Sequence, residues 1–315
     1  MELIRGLHNL RDQHRGCVAT IGNFDGVHQG HHRVLEQVRE KAQALGLPSV
    51  VIMFEPQPRE FFEGEGAPPR LTRFRQKFEL LRDHQIDRVF CLHFNARLRA
   101  LTAEAFIDQL LLNGLEVKYF VVGDDFRFGC DRRGDFALLK HYGESHGFTV
   151  VNTCTHRIDG ERVSSTRIRG ALAEHEFLLA ERLLGRPYRV EGKVIHGRKL
   201  GRQLGVPTAN ISLQRKRLPF SGVFVVEATT EEGRRRAGVA NVGVRPTVNG
   251  ESPMLEVHLF DFDQELYGER LEVEFKAFVR PEQRFDSIEA LRNQIQDDIA
   301  FARSWEYRTH SATSE

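Results

Sequence analysis

"GNFDGVHQGHHRVL", residues 22–35, sets three glycines and three histidines between an apolar run and a helical pattern. On its N-terminal side "CVATI" (17–21) reads as a buried strand. On the other side Val34, Leu35, Val38, Ala42 and Leu45 recur at helical spacing until "GLP" (46–48) stops them, and "SVVIMF" (49–54) supplies the next strand. The alternation continues through "FRQKFELLRDH" and "RVFCLHF", "TAEAFIDQLLLNG" and "KYFVVG", then "FALLKHYGESHG" and "TVVN". Strands that alternate with helices predict a doubly wound parallel sheet.

Beyond about residue 183 the pattern changes. "YRVEGKVIHG", "GVFVVEATTEEGRRRAGVANVG" and "LEVHLFDFDQELYGERLEVEFKAFV" read as successive strands joined by Gly-containing turns. Such a series predicts an antiparallel barrel or sandwich. One helix follows, with Asp286 and Glu289 as its expected capping box and Ile288, Leu291, Ile295 and Ile299 as its buried stripe. The fold class is therefore α/β followed by β, with expected domains 1–182 and 183–308 and a flexible tail over 309–315.

The chain's 315 residues exceed what one core usually serves. Its 45 basic and 44 acidic residues leave a formal net charge of +1, which disfavours a nucleic-acid partner. The run "GRRRAG" (233–238) reads as a solvated hairpin tip. Cys17, Cys91, Cys130 and Cys154 are widely spaced, which argues against a zinc ribbon or disulfide framework and for reduced thiols in the cytoplasm. No window approaches the ~20 apolar residues of a membrane span. A monomer or weak homo-oligomer is expected.

In a doubly wound sheet, ligands collect beyond the carboxyl ends of the strands, beside helix N-termini. The 22–32 turn has that position. Its glycines admit close backbone approach, and the helix dipole favours an anion. Gly22, Asn23, Phe24, Asp25 and Gly30 are candidate phosphate contacts, with Asn23 and Asp25 shaping the turn. His28 and His31 could face one phosphate chain as imidazolium donors, whereas His32 reads as helix surface. The stretch lacks Gly-x-Gly-x-x-Gly and Gly-Lys-Ser/Thr, and no Cys–His spacing completes a zinc site. Histidines that only cap a helix are the structural alternative.

The barrel half carries its own signal. In "GKVIHGRKLGRQLGVPTANI" (192–211), Gly197, Gly201 and Gly205 space a basic loop containing Lys199, suited to closing over a nucleotide. Thr208 and Asn210 offer neutral oxygens that suit a hydrated Mg²⁺ between phosphates. Strand alternation sets Glu256, His258 and Phe260 on one face and Leu255, Val257 and Leu259 on the other. A carboxylate there can act as a general base, although an exposed Glu on an antiparallel strand reads the same way.

These stretches together resemble one family. "GNFDGVHQGHH" is similar to the His-x-Gly-His motif of nucleotidyltransferases, and "VSSTRIRGAL" (163–172) to their second motif. "VVGDDFRFGCDRRGD" (121–135), "FEPQPREFF" (54–62) and "PPRLTRFRQKFELL" (68–81) resemble FAD synthetase segments. The Pro-Thr-Ala-Asn stretch with the Glu256 strand, "GVANVGVRPTVNG" (238–250) and "FVRPEQRFDSIEALRNQIQDD" (278–298) resemble the riboflavin kinase barrel. In this order they resemble the bacterial bifunctional riboflavin kinase/FAD synthetase family across residues 15–303.

The resemblance implies a Rossmann-like adenylyltransferase domain and a kinase barrel, which use ATP and Mg²⁺ on riboflavin and FMN to give FMN and FAD. It implies that Ser165, Thr166 and Arg169 hold phosphates and that Asp125, Phe126, Phe128 and Pro56 face the flavin. Glu256 would be the kinase base, with Thr208 and Asn210 at the metal. Asp125 stands where relatives carry Asn, and Leu200 where many carry Arg. A nucleotidyltransferase of another substrate class and a non-catalytic flavin sensor are the alternatives.

Overall fold

A computed structural model of the chain describes residues 1–123, 125–197, 201, 204–213, 215, 217–247 and 250–312. Backbone packing divides it into two units, Met1–Ser165 and Thr166–Glu315.

The first unit is built on a six-stranded sheet whose neighbours all run parallel. Its strands are β1 (Glu2–Arg5), β2 (Cys17–Ile21), β3 (Ser49–Phe54), β4 (Arg88–Leu92), β5 (Val117–Gly123) and β6 (Thr149–Thr153). All five residues of β2 are buried, as expected of a strand covered on both faces. Sequence periodicity marks five of these strands. It misses β1, whose four residues "ELIR" include two charges, yet Ile4 pairs with Phe90 at the sheet edge.

The spatial order β1-β4-β3-β2-β5-β6 makes successive strands leave β2 in opposite directions, so a crevice opens beyond the ends of β2 and β5. Helices α1 (Gln29–Leu45), α2 (Pro58–Glu63) and α3 (Phe74–Asp83) follow β2 and β3. On α1 the side chains of Leu35, Val38 and Ala42 are buried, but Leu45 is exposed because the helix ends there at Gly46, whose φ is 62°. "TAEAFIDQLLLNG" does not form one regular helix: Ala103–Phe106 is α-helical and Ile107–Leu112 continues as π-helix.

The second unit closes six antiparallel strands into a barrel, in the order β10-β13-β12-β11-β14-β9. These are β9 (Arg189–Ile195), β10 (Ala209–Ser212), β11 (Gly222–Thr230), β12 (Arg235–Thr247), β13 (Gly250–Leu259) and β14 (Arg270–Arg280); β7 (Arg157–Ile158) and β8 (Glu161–Arg162) form a small hairpin in the first unit. Closure removes the edges that would otherwise invite aggregation. Phe224 and Phe275 pack with Phe177, Phe220 and Tyr188, and burying such rings contributes roughly 2–3 kcal/mol each. Alternation sends Val223 and Val225 to the opposite face, where they cluster with Val239, Phe260 and Ala302 of the closing helix, Ile288–Ala312. Of the 233–238 run, read as a hairpin tip, only Gly233 and Arg234 lie in the β11–β12 turn and the rest begins β12, with Arg234 beside Glu232 and Arg235 beside Glu227.

The start of the closing helix differs from expectation. Ser287 Oγ accepts the Ala290 N–H at 3.1 Å, so Ser287 rather than Asp286 is the cap. Ile288, in the first turn, is exposed, and the buried face is carried instead by Asp298 and Ala302, with Leu291, Ile295 and Ile299 half-buried. The helix continues to Ala312, so residues 309–312 are helical.

Candidate functional site

The turn after β2 is fixed from several sides. Asp25, 2% exposed, accepts the Leu71 and Thr72 N–H groups at 3.1 Å, and Ser165 Oγ donates to the Asp25 carbonyl at 2.8 Å. Gly26 N–H donates to Thr72 Oγ1 at 2.9 Å. Asp25 is therefore committed to the scaffold of the turn. The Phe24 side chain is also core, buried with its ring 4.8 Å from that of His31, so a phosphate contact by this residue would be made through its backbone.

His28 is the N-cap of α1. Its Nδ1 accepts the His31 N–H, and His31 Nδ1 accepts the His28 N–H, both at 3.3 Å. The two rings stack at 3.6 Å with 14° between their planes. Gly30 makes this possible: a Cβ there would lie 3.2 Å from the His28 ring and 3.3 Å from the Val163 carbonyl. Capping and ligand-facing roles thus coincide in one pair. Each Nδ1 is thus turned to a backbone N–H of the other histidine. His32 is half-buried instead of lying on the surface; its Nε2 is 3.0 Å from the Val27 carbonyl and its ring 4.2 Å from that of His84.

Gly22 and Asn23 begin the turn, half-buried. Ser165 opens the helix Ser165–Ala173, which also carries Thr166 and Arg169.

Phe126 and Phe128 stack 5.3 Å apart and line a cavity of about 240 Å³ in the first unit. Phe54, Phe62, Phe94 and Phe106 complete its aromatic wall, with the Arg99 guanidinium 5.5 Å above Phe62. Sequence reading missed these partners because they come from four separate places, the end of β3, α2, the segment after β4 and the Ala103–Phe106 helix. Two expected flavin residues are not among the lining. Pro56 is half-buried outside it, and Asp125 is exposed and paired at 2.9 Å with Arg162, whose hydrogen bond holds the Asp125 carboxyl below the usual carboxylate range.

In the second unit, antiparallel register sets Asn210 opposite Glu256 and Glu256 opposite Asn241. The three side chains form a row across β10, β13 and β12, facing a cavity of about 380 Å³ beneath the closing helix. Thr208, Gly201 and His258 also border it, and His258 Nδ1 is 2.8 Å from the Pro207 carbonyl. Asn241 and Glu282 were not expected. The amide of Asn241 donates to Glu282 at 3.5 Å. A polar residue interrupting the apolar "GVANVG" was the available signal for Asn241. The helical wall is anchored by Arg280, which donates twice to buried Asp298 at 2.8 Å.

The glycines explain how Asn210 and Thr208 are held. A Cβ on Gly197 would fall 2.3 Å from the Asn210 amide, and one on Gly201 would fall 2.4 Å from the Val206 carbonyl and 3.2 Å from Thr208 Oγ1. Gly205 has φ 79°. Lys199 and Leu200 lie outside the described residues. Gly197→Ala should therefore displace the Asn210 amide and lower turnover in the barrel by about 10- to 100-fold, as a misplacement of about 1 Å does. Steady-state assay of each activity separately checks this; chemistry in the first unit should be unchanged.

Among the described residues no cluster of three or more His, Cys, Asp or Glu side chains could hold a metal by itself. A cation in the barrel cavity would be held by the Thr208 hydroxyl, the Asn210 amide oxygen, substrate phosphates and water. That donor set fits a hard ion that keeps its water. All four cysteines are free, Cys17 and Cys91 buried, and burial pushes the Cys17 thiol up to about 12.

Comparison with known proteins also finds two parts in the chain. Residues 10–167 match the family model described as FAD synthetase, and residues 184–306 match the one described as riboflavin kinase. A bifunctional riboflavin kinase/FMN adenylyltransferase of Pseudomonas fluorescens is 56% identical over 305 residues, covering 96% of this chain and 97% of that one. One of the same name from Haemophilus influenzae is 48% identical, covering 97% and 99%. A crystal structure from Streptococcus pneumoniae, described as a macrolide-efflux protein, superposes with a TM-score of 0.82 at 29% identity, covering 96% of this chain and 99% of that one. No helix among the described residues here is long and apolar enough to cross a membrane.

Proposed function

The chain belongs to the bifunctional riboflavin kinase/FMN adenylyltransferase family, and from that premise we propose how its residues divide the two reactions. It phosphorylates riboflavin to FMN and adenylylates FMN to FAD, using ATP in both steps. These ATP-dependent families generally use a divalent metal; we assign Mg²⁺, held by Thr208, Asn210 and the phosphates.

In the barrel, the Glu256 carboxylate takes the proton of the ribityl 5′-hydroxyl. The 5′-oxygen bonds to the γ-phosphorus as the bond from that phosphorus to the β–γ bridging oxygen breaks, and ADP leaves. Asn210 and Thr208 orient the phosphates, while Gly197, Gly201 and Gly205 let the loop approach them. Lys199 belongs to the same loop in this reading. When bound, Mg²⁺ offsets charge on the transferred phosphoryl group. The observation that carries the assignment is the Asn210–Glu256–Asn241 row on three paired strands, facing one cavity.

In the first unit, an FMN phosphate oxygen bonds to the α-phosphorus of ATP as the α–β bond breaks, releasing pyrophosphate. The nucleophile is already anionic, so no protein base is required. The Nε2–H edges of His28 and His31 donate to charge that develops on the triphosphate. Gly22, Asn23 and Gly30 admit the phosphates, and Ser165, Thr166 and Arg169 bind the departing pyrophosphate. The isoalloxazine packs against Phe126 and Phe128. Pro56 and Asp125 support the walls of that pocket indirectly.

The catalytic halves are 1–182 and 183–308. The balanced charge argues against a nucleic-acid partner and the four free cysteines suit a reduced cytoplasm; we assign the chain no membrane partner and a monomeric or weakly homo-oligomeric state. Incubation with riboflavin, ATP and MgCl₂ should yield FMN and then FAD on chromatography; replacing Mg²⁺ with EDTA should stop both. Undiminished turnover in EDTA would refute the metal assignment.

A further inference from the structure

We propose that Lys77 is a positioning residue for adenylyl transfer, holding the 23–27 turn in a strained shape that aims the start of α1 and its two histidines at the nucleotide. The inference rests on reading that turn as the adenylyl site.

Lys77, in the first turn of α3, is fully buried, and its ammonium donates to the Asn23 carbonyl at 2.6 Å. The same 71–77 segment supplies the Leu71 and Thr72 N–H groups to Asp25 and the Thr72 hydroxyl to Gly26. One segment therefore grips the turn at Asn23, Asp25 and Gly26.

The turn needs holding. Phe24 has φ 47° and Val27 has φ 38°, left-handed values that side chains other than glycine seldom adopt, a β-branched valine least of all. Such geometry persists only where the surroundings over-determine it. His28 follows directly, so a relaxation at Val27 would turn the cap and the stacked ring pair together.

A buried ammonium is a costly way to fill space. An apolar side chain of similar volume would fill the same space without stripping water from a charge. Burial lowers the Lys77 pKa, and the nearby Asp25 carboxylate opposes that effect. The amino group stands where a backbone carbonyl must be fixed, in a turn that contributes no strand pairing to the sheet.

The test uses the full chain, in which riboflavin phosphorylation is an internal control for folding. Lys77→Met should lower kcat for FAD formation from supplied FMN by about 50-fold, leave KM for FMN within about 2-fold and leave FMN formation unchanged. Thr72→Val removes the Gly26 acceptor without disturbing the core and should lower the same kcat by about 10-fold. Because both residues hold one turn, the double variant should be little worse than Lys77→Met alone. If Lys77→Met does not fold, Thr72→Val decides. A folded Lys77→Met within about 3-fold of wild-type kcat, a loss confined to KM for FMN, or an unaffected Thr72→Val overturns the proposal. If instead His31→Ala leaves FAD formation intact, the reading of the turn as the adenylyl site has failed, a separate result.

Discussion

Glu256→Ala is expected to lower FMN formation from riboflavin by about 10³-fold while FAD formation from supplied FMN stays within about 2-fold of wild type, since a general base contributes about 10²–10⁴. The carboxylate lies on β13 between Asn210 and Asn241, and it lines the cavity beneath the closing helix. Removing it takes away the proton acceptor for the 5′-hydroxyl and leaves the binding surfaces in place. The loss should therefore fall on kcat, with KM for riboflavin and ATP little changed. Alanine retains β-strand pairing, so the melting temperature should hold. Wild-type kcat in this variant would remove Glu256 from the chemistry.

The mirror-image result is expected for His31→Ala. FAD formation should fall by about 10²–10³-fold, the usual consequence of losing one preorganised donor to developing charge. FMN formation should persist. The substitution also removes the acceptor for the His28 N–H, a capping interaction worth about 1 kcal/mol, so some loss of stability in the first unit accompanies it. Continued riboflavin phosphorylation by the same molecules separates lost chemistry from lost protein. If each variant, still folded, lost both activities, two independent sites would be untenable.

Much of the fold is legible in the sequence because buried strands leave little freedom. "CVATI" and "SVVIMF" are apolar throughout because helices cover both faces of the sheet. The barrel strands alternate, and that alternation put Glu256 and His258 on one face, which the fold turns toward the cavity. What escaped depends on contacts between distant residues. β1 is too short and charged to show a period, and is a strand only because β4 offers it an edge. Ser287 caps the closing helix although Asp286 beside it fits the same pattern, since one residue of register decides which side chain reaches the Ala290 N–H.

The sites divide in the same way. His28, Gly30, His31, Thr208, Asn210 and Glu256 are visible as motifs because close backbone approach demands glycine and the chemistry demands particular side chains. Asn241 enters through strand register, and Phe54, Phe62 and Phe94 through the convergence of a strand end, a helix and a loop, neither of which has a local signature. Asp125 shows the converse: its sequence position suggested a flavin contact, while Arg162 engages it at the surface. Lys77 has no local signature either, since only the tertiary fold encloses it wholly.

The central claim is that one chain binds adenine nucleotide at two unrelated places. Calorimetric titration of the intact protein with a non-hydrolysable ATP analogue and MgCl₂ tests it most directly. Two equivalents bound per chain are expected, falling to one when either site is blocked by substitution. Saturation of the unmodified chain at a single equivalent would contradict the account.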